Sequence, residues 1–186
     1  MRVLSLTDAE ATDSARKYEL GAVAAVRDAT YGALKVVYCY IQTAIALANC
    51  GPVYEDVTAG KWYVDDDENE SGVIGQEFCC GAFLMAAVNA AAAYGWVLVA
   101  GLNPIAMLTD TTLAAGYGVI SAANTGSEGV WSATAPTINV ALTAGTEYNT
   151  DGYVVGVARA ADSGTAQAVG TVMFNSVWAS MEVTLN

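Results

Sequence analysis

AFLMAAVNAAAAYGWVLVAGL, residues 82–102, runs for 21 residues without a charge, and its reading decides the fold. A membrane-spanning helix needs about 20 strongly apolar residues, usually with Lys or Arg at one flank. Here no Lys or Arg lies between Lys61 and Arg159, Asn89 interrupts the run, and much of the apolarity is alanine. Gly95 weakens a helix, and the Trp96-Val97-Leu98-Val99 run that follows favours a strand. The stretch therefore reads as two strands, AFLMAAV (82–88) and YGWVLVAG (94–101), joined by the small-residue link NAAAA (89–93). Its hydropathy belongs to the hairpin-like core of a β domain, and no membrane partner is expected.

The rest of the chain agrees with that reading. YELGAVAAV (18–26) and ALKVVYCYI (33–41) are rich in Val, Tyr and Ile, and RDATYG (27–32) between them supplies turn residues. Asn49-Cys50-Gly51-Pro52 breaks the chain before another β-like run, PVYEDV (52–57), and GKWYV (60–64) leads into the acidic run DDDENESG (65–72). The second half alternates short β-like runs with Gly-, Asn-, Asp- and Pro-containing turns, the pattern of a sandwich or barrel. GYGVISAANTGSEG (116–129) and GYVVGVARAADSG (152–164) echo each other as two strand–turn units. One short helix is expected near 104–115, opened by Pro104. Residues 1–16 are polar, mixed in charge and without period, and read as an N-terminal arm. The expected organisation is thus arm 1–16 and β domain 17–186: all-β, compact, β-barrel or sandwich-like, with at most one short helix.

Composition narrows the function. The 186 residues are 54% hydrophobic and 14% charged, with net charge −12. Residues 1–61 hold six Lys/Arg against seven Asp/Glu, whereas residues 62–186 hold Arg159 against twelve acids. A nucleic-acid partner is not expected, because such binding relies on cations that displace phosphate counterions. The near-neutral first third could dock on an acidic surface or on another copy. The leading apolar run, VLSL (3–6), is shorter than the roughly 7–15 residues of a secretion signal.

There is no histidine, so neither a Ser-His-Asp nor a Cys-His arrangement can form within the chain. No GxSxG elbow or phosphate-cradling GxxxxGK[ST] loop occurs, and GYGVIS (116–121) places Ser121 where a dinucleotide fingerprint needs its third Gly. The four cysteines, Cys39, Cys50, Cys79 and Cys80, form no CxxC and read as buried reduced thiols, with a Cys39–Cys50 bridge left open. Adjacent Cys79 and Cys80 point to opposite faces if on a strand and cannot make one metal clamp. Asp65, Asp67 and Asn69 match the first ligand positions of an EF-hand loop, but Glu70 stands at the obligate Gly and Gln76 at the bidentate Glu. The acidic run at 65–70 is therefore expected to be a solvated loop. No catalytic, cofactor or metal residue is assigned, and the chain is not expected to be an enzyme. A sugar-binding module would need aromatics on one face of a strand pair, drawn here from four Trp, ten Tyr and three Phe.

KYELGAVAAVRDATYGALKVVYCYIQTAIALANCGPVYED (17–56), YGWVLVAGLNPIAML (94–108) and DGYVVGVARAADSGTAQAVGTVMF (151–174) together resemble the capsid decoration, or cement, proteins of tailed bacteriophages. The likeness is one of strand pattern and composition. Asn49-Cys50-Gly51-Pro52 replaces the family's usual link before Val-Tyr, and the acidic loop 65–71 is longer. The resemblance implies a compact, β-tulip-like domain with an arm. It also implies a structural virion protein made in the host cytoplasm that binds the outer surface of the head between major capsid protein subunits, often as a homotrimer, without cofactor. Rival expectations are another phage part, such as a head-fibre base or tail protein, and a non-viral β binding module. On the first reading, deleting residues 1–16 should weaken capsid binding and leave the β domain folded.

Overall fold

The structure is a computed structural model that describes residues 2–42, 50–56, 59–65, 77–84, 93–104, 107–108, 114–116, 118–121, 131–134, 156–160, 166–167, 170 and 172–176. The first half of these contains β1 (Arg2–Leu4), α1 (Leu6–Glu10), β2 (Val23–Asp28), β3 (Gly32–Ile41), β4 (Pro52–Asp56), β5 (Tyr63–Asp65), β6 (Glu77–Phe83) and β7 (Ala93–Leu102). The second half contains β8 (Met107–Leu108), β9 (Gly118–Ser121), β10 (Trp131–Thr134), β11 (Gly156–Ala158), β12 (Ala166–Gln167) and β13 (Val172–Asn175). The domain is all-β in character, and α1 is the one helix among the described residues.

The opening stretch resolves into strands. β6 and β7 run antiparallel with Ala82 opposite Leu98 and Phe83 opposite Val97. The first of the pair begins at Glu77, upstream of the expected 82, while residues 85–92, the end of that expected strand (85–88) and all but the last residue of the expected link, lie outside the described residues. No described helix is long and apolar enough to cross a membrane. The helix expected near 104–115 is not found at Met107–Leu108, which form β8 and pair with β12. The observed helix is Leu6–Glu10, started by a capping box in which Ser5 Oγ accepts the Asp8 N–H at 3.1 Å. At Met107–Leu108 the local preference for helix is overridden by cross-strand pairing, and residues 105–106 and 109–113 lie outside the described residues.

β3 and β7 organise everything else. They pair antiparallel from Lys35–Ala100 to Ile41–Ala93. The free edge of β3 is taken first by β2 and then, parallel, by β5 at Tyr40 and Ile41. β5 pairs with β4, β4 with β6, and β6 with β7. The pairings β3–β5–β4–β6–β7–β3 thus close a ring of five strands. Beyond it the sheet continues through β13, β11, β9 and β10. The two echoing units of the second half are neighbours in that extension, with Gly156 opposite Val119.

Because side chains alternate along a strand, β3 and β7 serve two cores. Val37, Cys39 and Ile41 of β3 join Val53, Val64, Cys80, Ala93, Val97 and Val99 in one buried cluster. That cluster draws on all five ring strands, so it fills the ring. The intervening residues Leu34, Val36, Tyr38, Trp96 and Leu98 face outward into a second cluster with Leu4, Ala9, Val26, Val172 and Phe174. Gly81 is required where β6 pairs with β7, because a Cβ there would run into the Leu98 carbonyl oxygen.

Within residues 1–16, expected as an extended arm, residues 2–13 lie against this outer core. β1 pairs parallel with β2, placing Val3 opposite Ala25. α1 packs on β2 and β7, and Asp13 bridges to Tyr94. Leu4 and Ala9 are buried and Leu6 packs beside them. The physical reason is the second face of β3 and β7: Tyr38, Trp96 and Leu98 need a cover, and this segment, a strap rather than an arm, supplies it.

Candidate functional site

A spacing of two puts Tyr38 and Tyr40 on one face of β3, and Tyr94 and Trp96 on the matching face of β7. Register then sets Tyr38 opposite Trp96 and Tyr40 opposite Tyr94. The ring centroids of these pairs are 4.9 and 5.1 Å apart, tilted by 57° and 61°. Tyr18 closes one end, 5.0 Å from Tyr38 and 5.2 Å from Trp96. Tyr63, brought in by the β3–β5 pairing, closes the other at 5.0 Å from Tyr40. Six aromatic rings therefore form a continuous row. Its centre, Tyr38 and Trp96, is buried, while Tyr18, Tyr40, Tyr63 and Tyr94 are half-buried. Arg2 lies 4.2 Å over the Tyr18 ring, a cation–π contact that ties β1 to the row.

Asp13 pins the strap across this row. Its N–H donates to the Tyr94 carbonyl and its carbonyl accepts the Tyr94 N–H, both at 2.8 Å. Its carboxylate accepts the Tyr38 hydroxyl at 3.1 Å and pairs with the Lys17 ammonium. The Lys17 N–H in turn donates to the Tyr38 oxygen at 3.3 Å. Burial, together with the bond to Asp13, pushes the Tyr38 phenol up to about 12. The contact with Asp13 also raises Lys17 above the ordinary lysine value. The phenol is thus held neutral, as a donor rather than a base.

Two other buried polar side chains, Glu55 and Asn103, hold backbone in place. Glu55 accepts the Trp62 N–H at 3.2 Å and so supports a residue whose φ is +72°. Asn103 accepts the Val172 N–H through Oδ1 at 2.9 Å and the Gly170 N–H through its carbonyl at 2.8 Å, fastening the end of β7 to β13. Ser176 Oγ is buried without a hydrogen-bond partner among the described residues.

Cys39, Cys50 and Cys80 are buried thiols. Cys39 belongs to the ring core and Cys50 to the outer core, so the bridge left open by the sequence does not form. Burial pushes the Cys50 thiol up to about 12 and the Cys39 thiol well above its ordinary value, with Glu55 adding to the latter. Cys79 and Cys80 both lie in β6.

Among the described residues no group of three or more Cys, Asp or Glu converges as metal ligands. The acidic run at 65–70 lies outside the described residues except for Asp65, which sits in β5 opposite Tyr54. An open groove of about 600 Å³ runs between β2, β3, β7 and β13, lined by Ala24, Leu34, Gly101 and Phe174 with Lys35 at its side. Sequence reading assigned no residue to the aromatic row or to the Asp13 pin. The signal for the row was present, as Tyr-x-Tyr at 38–40 and Tyr-x-Trp at 94–96. Lys17 lies only four positions from Asp13, but the partners that make Asp13 a pin, Tyr38 and Tyr94, lie 25 and 81 positions away. In comparisons with protein-family models, curated proteins and solved structures, nothing matches this chain.

Proposed function

We propose that this chain is a structural virion component, a decoration protein that seats on the outside of a tailed-phage head between major capsid protein subunits and stabilises it. The reading rests on the strand-pattern resemblance of residues 17–56, 94–108 and 151–174. The observation that best supports it is the double packing of β3 and β7, which builds a stiff body with one core inside a strand ring and another outside it. A part that clamps neighbours needs such rigidity, and its buried polar groups are free to serve the fold. Self-association as a homotrimer and a place on the outer capsid surface belong to the same proposal. The test is mass spectrometry of gradient-purified phage particles, with copy number measured against the major capsid protein. A copy number near that of the capsid protein supports decoration. A few copies per particle favour a tail or fibre part, and absence from particles overturns both.

The aromatic row favours a second reading. Tyr40, Tyr63 and Tyr94 lie half-exposed on one face of paired strands, the placement a carbohydrate-binding module requires. Their rings meet edge to face, which spends ring faces on each other rather than on a ligand. A tyrosine fluorescence titration with bacterial surface glycans separates the readings: saturable quenching abolished by Tyr40→Ala supports glycan binding.

A further inference from the structure

We propose that the strap, residues 2–13, is an exchangeable latch: it swings about residues 14–16 and takes the same seat on a second copy of this chain. The inference concerns the self-association part of the function proposed above, and it holds or fails whether or not the chain decorates a capsid.

Three observations carry it. First, strap and ring core share no residue, so opening the strap leaves that core closed, as expected for a sub-global unfolding unit. Second, the attachment is of a kind that another copy can remake without change. It consists of three parallel backbone pairs to β2, the Asp13–Tyr94 bridge, the Asp13–Tyr38 hydrogen bond, and the burial of Leu4 and Ala9. Ser14, Ala15 and Arg16 between strap and body are exposed, whereas Lys17 is held to the body through its N–H on Tyr38. Three extended residues span roughly 10 Å, enough for the strap to leave its own seat. Third, the seat supplies a counter-charge. The strap carries Arg2 against Asp8, Glu10 and Asp13, and Lys17, which stays with the body, pairs with the Asp13 carboxylate. The occupant is a second copy because the seat is shown to fit this sequence: apolar places for Leu4 and Ala9, a phenol for the Asp13 carboxylate and a strand edge for its backbone. Exchange of an identical element keeps every contact and adds only the cost of association.

The Asp13–Lys17 ion pair reports the exchange without any mutation, since it joins the strap to the body. Isotopically heavy and light preparations of the full chain are mixed in equal amounts, incubated over a range of concentrations and treated with a carbodiimide. Trypsin then cuts after Arg16, leaving Asp13 and Lys17 on separate peptides joined by the new amide. Exchange predicts joined peptides carrying one heavy and one light half, rising with concentration toward half of the total. It also predicts that inserting a Gly-Ser spacer after Ala15 lowers that fraction by relaxing the closed form. Single-label joined peptides at every concentration overturn the proposal. So does a chain that forms mixed-label peptides to the same extent after Asp13→Asn, because the mixed product then does not come from the pinned seat.

Discussion

Tyr38 donates its phenolic hydrogen bond to Asp13 at 3.1 Å, across 25 positions of sequence. One end of this bond sits at the centre of the β3–β7 pair and the other on the segment that covers it. The same aspartate exchanges two backbone hydrogen bonds with Tyr94, the neighbour of Tyr40 on the opposite strand. Removing either partner therefore acts on the closure of the outer core rather than on the ring.

Asp13→Ala is expected to destabilise the protein by about 1.5–3 kcal/mol, the range for a hydrogen bond to a charged group that leaves a buried partner unsatisfied. Tyr38→Phe should cost less, about 1 kcal/mol, since Asp13 keeps Lys17. Urea unfolding followed by Trp fluorescence measures both, and a double mutant much less destabilised than the sum confirms that the two act together.

Leu98→Ala in the outer core and Ile41→Ala in the ring core should each cost about 2–5 kcal/mol. Hydrogen exchange distinguishes them. Leu98→Ala should speed exchange of the strap amides, Asp13 above all, before the rest of the sheet. Ile41→Ala should speed exchange throughout β3, β4, β5 and β7.

Gly81→Ala should lower stability by about 1–3 kcal/mol, because the new methyl meets the Leu98 carbonyl where β6 pairs with β7. Gly101→Ala should be at least as costly, since its φ is +120° and its Cβ would lie 2.7 Å from Leu34 Cδ2. Thermal melts of the two variants check the order.

Stability should fall at high pH. Tyr38 is raised from 10.0 to about 12 and Cys50 from 9.0 to about 12, chiefly by burial. Between pH 9 and about 12 the unfolded chain therefore releases protons that the folded chain retains. Proton loss then favours unfolding, so the contribution is complete below pH 9 and is lost as pH rises toward about 12. Urea midpoints measured across this range should decline. Tyr38→Phe should flatten the part of the decline above pH 10.

Deleting residues 1–13 should destabilise the domain rather than leave it intact, because Tyr38, Trp96 and Leu98 lose the cover given by Leu4, Leu6 and Ala9. A red shift of Trp96 emission together with a lower urea midpoint is the expected result.

Much of the β character was legible. Alternation and turn chemistry located β2, β3, β4 and β7, and Asp28 accepts the Thr30 and Tyr31 N–H groups in the expected turn. The helix at Leu6–Glu10 was missed because one turn of capped helix has no period to detect. The helix expected near 104–115 failed at Met107–Leu108 because strand pairing with β12 outweighs a weak local preference. The aromatic row was half-legible: spacing put the rings in pairs, but only register set Tyr38 beside Trp96.

The uncharged stretch at 82–102 shows where the division falls. Its glycines, its β-branched residues and its lack of flanking cations were enough to favour strand over membrane helix, as found at 82–83 and 93–102, because backbone preference and solvation act locally. The tertiary structure alone decided that both faces of the second strand would be buried, one inside the ring and one beneath residues 2–13. A strand's two faces are set by its partners, and those partners come from β3, β6, β13 and Asp13, far apart in the chain.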